Sequence, residues 1–126
     1  MGIVKAGVCL HLTSKDQTKH LHVVLNDPKP YNDFPATVGV LSLSSTLKAD
    51  TTVVLKPGDH PFVKRETFVV FAWAKVIDAA KLEVNIQRDG TIKHQDDCSA
   101  ELLERIRQGV YASPFSKPAI KDYLTA

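Results

Sequence analysis

Residues 67–77, TFVVFAWAKVI, are apolar on both alternations. A strand with one face in the core and one in water alternates apolar with polar side chains. A run without alternation needs cover on both sides. The segment is therefore read as the central strand of the fold, with Phe68, Val70, Phe71 and Trp73 buried. Directly before it stands KPGDHPF, residues 56–62. Pro57-Gly58 signals a turn, and Pro61 removes a ladder N–H. The turn thus holds an acid and an imidazole, Asp59 and His60, between two prolines at the mouth of the core strand.

A central strand needs neighbours, and the preceding residues supply them. VCLHLT and HLHVVL alternate on either side of the polar stretch SKDQTK. Paired as a hairpin centred on that stretch, Leu12 falls opposite Leu21, Leu10 opposite Val23 and Val8 opposite Leu25. His11 then meets His22 on the other face. A one-residue slip would turn one apolar set to the wrong side, so the matched faces favour this register. TVGVLSLS reads as the third strand and TTVVL as the fourth. NDPKPYNDFP, with three prolines, reads as a long loop.

After the core strand the period changes. DAAKLE reads as a short helix, and RDGTI holds an Asp-Gly turn. DDCSAELLERIRQGVYAS is the best helix, expected over about residues 99–112. Ser99 caps it, Asp96 and Asp97 suit its dipole, and Leu102, Leu103, Ile106 and Val110 form a stripe. KPAIKDYL reads as a last short helix with Pro118 in its first turn. The expectation is one domain over residues 1–126, mainly β with C-terminal helices. Residues 1–77 form a small, strongly curved sheet or barrel, and residues 78–126 a helical part.

Few function classes are excluded. A net charge of +2 neither demands nor forbids a nucleic-acid partner. Two widely separated cysteines do not make a disulfide framework and suit a reducing compartment. No apolar run reaches membrane-spanning length, and the first residues lack a signal-peptide pattern, so a cytoplasmic protein with no membrane partner is expected.

The strand series KHLHVVL, VGVLSLSS and the turn before the long core strand resembles the plasmid-maintenance toxins of the MazF/PemK type, over roughly residues 7–77. The GDHPF-type segment and the closing LLERIRQGVYASPFSKPAIKDYL resemble more closely a group of small bacterial proteins with no established activity. The toxin resemblance implies an SH3-like barrel, endoribonuclease activity on single-stranded RNA without a metal or other cofactor, a cognate antitoxin as protein partner, and a homodimer. Where those toxins carry Arg-Pro at the entrance of the second strand, this chain has Lys19-His20. The Ser or Thr expected at the end of the third strand is matched by Ser44 and Ser45.

Cleavage at a 2′-hydroxyl needs a base, an acid and cations or donors for the phosphorane. Lys19 could hold phosphate, His20 could move the proton, and Ser44 or Ser45 could donate to a phosphate oxygen. His60 is open to two readings: a second acid or base in a cleft, or a turn residue packed on Phe62 beside a turn-capping Asp59. A second constellation is Cys9, His11 and His22, brought together by the hairpin register as N/S ligands suited to zinc, or simply a polar face. The rival to the nuclease is a non-catalytic interaction module on the same barrel, binding a protein through NDPKPYNDFP and the C-terminal helix.

Overall fold

In the computed structural model, which describes residues 2–13, 19–88 and 92–126, the run at residues 67–77 is a strand, but it lies second from the edge of the sheet rather than at its centre and has a partner on its outer side only at Thr67 and Phe68. The elements in chain order are β1 (Cys9–Thr13), β2 (Lys19–Val24), β3 (Lys29–Tyr31), β4 (Phe34–Ser44), β5 (Val54–Leu55) and β6 (Thr67–Asp78). Then follow α1 (Ala79–Arg88), β7 (Ile92–Gln95), α2 (Ala100–Ala112) and α3 (Pro118–Thr125). The strands make one curled antiparallel sheet, a half-barrel in the order β5-β6-β4-β2-β1-β7, with β3 paired to β4. The fold is thus mainly β, with two of its three helices late in the chain. Among the described residues, no helix is long and apolar enough to cross a membrane.

Both faces of the sheet carry buried residues. One face carries Cys9, Leu21, Val23, Leu41, Leu43, Val69 and Phe71 under α2 and α3. The other carries Val8, Leu10, Val24, Val38 and Val40 under α1. Gly109 lets α2 approach closely: a Cβ there would lie 2.7 Å from Val53 Cγ2 and collide with the Phe71 ring. Tyr123 of α3 is fixed by polar bonds in the same core. Its hydroxyl accepts from Asn26 Nδ2 at 3.0 Å and lies 2.9 Å from Thr37 Oγ1.

Three expectations need correction. The β1–β2 pairing is shifted by one residue: Leu10 faces His22, His11 faces Leu21, and Cys9 faces Val23. The reason is that both faces are buried, so Cys9 and Val24, assigned to the non-core side, are core residues too. NDPKPYNDFP is not a plain loop. It contains β3 and a two-residue hairpin turn, with Asn32 and Asp33 both at positive φ (45° and 69°), as tight hairpins favour. Trp73 is 47% exposed, while Phe68, Val70 and Phe71 are buried. The β4–β6 register shifts between Val40 and Ser42, opposite the stretch that holds Trp73, so strict alternation is lost there.

The helices follow the sequence reading. Ser99 caps α2, its side chain accepting from Leu102 N at 3.1 Å. Pro118 sits in the first turn of α3. DAAKLE extends into the longer α1, where Asp78 Oδ1 accepts from Ala80 N at 3.0 Å. β7 had no expected counterpart. It returns beside β1, pairing Leu10 with His94. The Asp89-Gly90 turn that precedes it lies outside the described residues, as do residues 14–18 of the β1–β2 loop.

Candidate functional site

A cleft of about 660 Å³ opens where the start of β2 and the end of β4 meet residues 60–65. His20, Ser44, Ser45 and His60 all line it, so four of the five residues singled out for RNA chemistry share one concavity. The side chain of Lys19, the fifth, lies outside the described part. Its backbone pairs with Thr13 at the start of β2.

The four are not equivalent. His60 is buried, 3% exposed, and both its ring nitrogens are in use. Its Nδ1 accepts from Phe62 N at 3.0 Å, which puts the ring proton on Nε2. Nε2–H then donates to the Asp96 carbonyl at 2.5 Å. The imidazole therefore clamps its own turn to the segment after β7. Asp59 is likewise a turn residue. Asp59 N donates to Lys56 O at 3.0 Å, and its carboxylate accepts from Lys56 N at 2.8 Å. Gly58, at φ +106°, supplies the positive dihedral that a Pro-Gly type II turn requires. Asp59 thus closes its turn as the structural reading has it, whereas His60 is held by the Phe62 backbone and the Asp96 carbonyl, and the Phe62 ring stands edge-on to His11 at 4.8 Å.

Ser44, also buried, closes the turn leaving β4. Its Oγ accepts from Thr46 N at 3.2 Å and Leu47 N at 3.1 Å. Ser45 is half-buried at the rim. His20 is the imidazole best placed for ligands. It is half-buried, and its Nδ1 lies 3.2 Å from Leu43 O. Its ring stands edge-on to the exposed Trp73 at a centroid distance of 5.9 Å. Among the described residues no hydrogen-bond partner occupies its Nε2.

The site gains two cations that the sequence reading passed over. Lys64 and Arg65, both exposed, line the same cleft. Arg65 also borders a neighbouring hollow with Ser45, Lys48 and Glu66. The signal was present as the basic pair in VKRE, between the turn and the core strand. A planar guanidinium is the side chain that matches a phosphate with two hydrogen bonds. Asp96 is the acidic counterweight on the cleft's far wall.

The zinc-type trio does not assemble. Cys9 and His11 lie on the face under α2 and α3, whereas His22, opposite Leu10, points to the other. Among the described residues, no group of three or more His, Cys, Asp or Glu is placed to hold a metal. Cys9 instead meets Cys98, sulfur to sulfur, at 3.3 Å. His22 is held neutral. Burial in the sheet pushes its pKa down to about 4, and the nearby charges of His20, Lys75 and His11 add to the effect. The main opposing influence is a hydrogen bond between its Nδ1 and the His20 carbonyl, at 3.1 Å, which outweighs each of those charges but not burial.

Comparison with known protein families, characterised proteins and solved structures gives no match.

Proposed function

We propose that the protein binds single-stranded RNA in the cleft between β2, β4 and residues 60–65, and cleaves it there without a metal, in the manner of the MazF/PemK-type toxins that its strand pattern resembles. The observation that carries this reading is the meeting of His20, Lys64 and Arg65 around one open concavity. Lys64 and Arg65 hold the phosphate and carry the charge that builds up on the phosphorane. His20, through Nε2, takes the proton from the 2′-hydroxyl. The 2′-oxygen attacks phosphorus, the bond to the 5′-oxygen breaks, and the leaving oxygen takes its proton from solvent in the open cleft. Ser45 donates to a non-bridging oxygen. His60 and Ser44 shape the walls and take no part in proton transfer.

One observation favours a second reading, an RNA-binding module without cleavage: the cleft's other imidazole, His60, has both nitrogens committed to backbone. In that case Lys64, Arg65 and the exposed Trp73 are the contact residues, with bases stacked on the indole.

The test is incubation with an unstructured oligoribonucleotide in the presence of chelator. The nuclease reading expects cleavage that chelator leaves unchanged and that His20→Ala lowers ~10²-fold or more. Lys64→Ala with Arg65→Ala should weaken binding and flatten its salt dependence by roughly 0.7 log units for each phosphate that is no longer neutralised. Binding without cleavage selects the second reading. Absence of binding at low salt refutes both.

A further inference from the structure

We propose that Cys9 and Cys98 form a redox modification site, at which a peroxide closes an intramolecular disulfide tying β1 to the start of α2. The inference rests on the side-chain geometry and is independent of the RNA reading. The two residues are the chain's only cysteines, 89 positions apart, yet their sulfurs lie 3.3 Å from each other. A disulfide needs about 2.0 Å, so the sulfurs must close by roughly 1.3 Å.

Backbone hydrogen bonds already hold the partners in place. Cys98 N donates to Gly7 O at 2.8 Å, and Gly7 N donates to Val24 O at 2.8 Å, which fixes the turn ahead of Cys9 against β2. Gly7 has φ +89°, a conformation that glycine adopts without strain.

The pair is asymmetric in a way that orders the chemistry. Cys9 is fully buried and Cys98 half-buried, so an oxidant reaches Cys98 first. The hydrogen bond from Cys9 holds the Cys98 thiol below its usual range, against burial and the Asp97 charge. The same contact, together with burial, pushes Cys9 well above its own. Cys98 is therefore the nucleophile and Cys9 the resolving thiol.

The Cys98 thiolate attacks the peroxide O–O bond. With hydrogen peroxide, one oxygen stays on sulfur as sulfenic acid and the other leaves as water once protonated. The Cys9 sulfur, losing its proton, then displaces hydroxide from the Cys98 sulfur. The S–S bond forms and a second water departs. Two thiols are oxidised by two electrons, and one peroxide is reduced to two waters.

The crosslink has a structural consequence. Cys98 is two residues from Asp96, whose carbonyl receives the His60 ring proton and which lines the cleft. Oxidation pins that wall to β1.

The experiment treats the reduced full-length chain with a small excess of hydrogen peroxide and reads intact mass under non-reducing conditions. The expected product is a monomer lighter by two hydrogens, with no thiol left to alkylate, restored by dithiothreitol. Its thermal midpoint should rise by ~5 °C or more, because the crosslink spans most of the chain. Cys9→Ser should stop at a Cys98 sulfenic acid, trapped by a 1,3-dione, and Cys98→Ser should react far more slowly. Covalent dimers, or wild-type protein that gains oxygen without losing both thiols, would overturn the proposal. So would Cys98→Ser oxidising as fast as Cys9→Ser.

Discussion

Acid should weaken this fold through His22. Its imidazole is half-buried between Leu10 and Ser42 on the face that α1 partly covers. Folding lowers its pKa from 6.5 to about 4. In the unfolded chain it titrates near 6.5, so below that pH the unfolded state takes up a proton that the folded state refuses. The sign follows from linkage: the stability is fully present above pH 6.5 and is lost progressively as pH falls toward 4. The whole interval of roughly 2.5 pH units corresponds to about 3 kcal/mol, of which about 2 kcal/mol is lost between pH ~7.5 and pH ~5. Urea unfolding at those two pH values, followed by the fluorescence of the single tryptophan, measures it. His22→Gln cannot take up the proton, so its stability should fall by about 2 kcal/mol less than that of wild type over the same interval. An identical loss in the variant and the wild type would refute the assignment to His22.

Phe71→Ala, at the fully buried centre of β6, should cost on the order of 3–5 kcal/mol in the same assay. Gly109→Ala should destabilise by about 1–3 kcal/mol, because the added methyl meets Phe71 and Val53; a neutral result would show that α2 can ride outward without loss. Burial raises the pKa of Asp50, but hydrogen bonds from Ser113 and Thr52 more than offset this and leave its carboxylate below the usual range. Its stabilising effect is therefore present above pH ~4 and lost as pH falls below that, clear of the His22 window. Asp50→Ala should cost about 1–3 kcal/mol by stranding the buried Ser113 hydroxyl, which now donates to it at 2.6 Å. His60→Ala should cost about 2–4 kcal/mol of stability, since it breaks two buried hydrogen bonds; a fully stable variant would return His60 to the list of working imidazoles.

What was legible in the sequence were features set by a local rule. The unbroken apolar run required a strand covered on both sides, which holds over Phe68–Phe71 but not at Trp73 and Lys75, and Ser99 with the stripe Leu102, Ile106 and Val110 required an amphipathic helix, which is present. The β1–β2 register was lost because its evidence was a polar face that does not exist. With Cys9 and Val24 in the core, alternation no longer distinguishes the two slips, and only the packing of helices on both sides does. Trp73 was misplaced for a related reason, since a register shift cannot be seen in a pattern that is apolar throughout. β7 is short and polar, and it exists because β1 offers it an edge. Within the site, His60 joins from the turn before β6, while the convergence of His20, Ser44 and Ser45 depended only on strand ends and was foreseeable. The commitment of His60 and Ser44 to backbone was not, because their partners come from the folded chain path.

Residues 94–99 show why an acid and an imidazole stand between two prolines. His94 and Asp97 face each other at 3.0 Å, a largely exposed pair of little energetic weight. The next contacts carry more. Asp96 offers its carbonyl to His60, Cys98 gives its N–H to Gly7 O and its sulfur to Cys9, and Ser99 caps α2. One short stretch thus joins the cleft wall, the start of β1 and the principal helix. The GDHPF turn is the piece of chain that must reach that stretch. Pro57-Gly58 reverses the backbone, Asp59 closes the reversal, and His60 spans the remaining gap as a donor at one nitrogen and an acceptor at the other. Lys and Arg offer donors only and carboxylates acceptors only, whereas a neutral imidazole offers one of each on a rigid ring. His60 is thus committed to holding the turn, which leaves His20 as the imidazole open to the cleft.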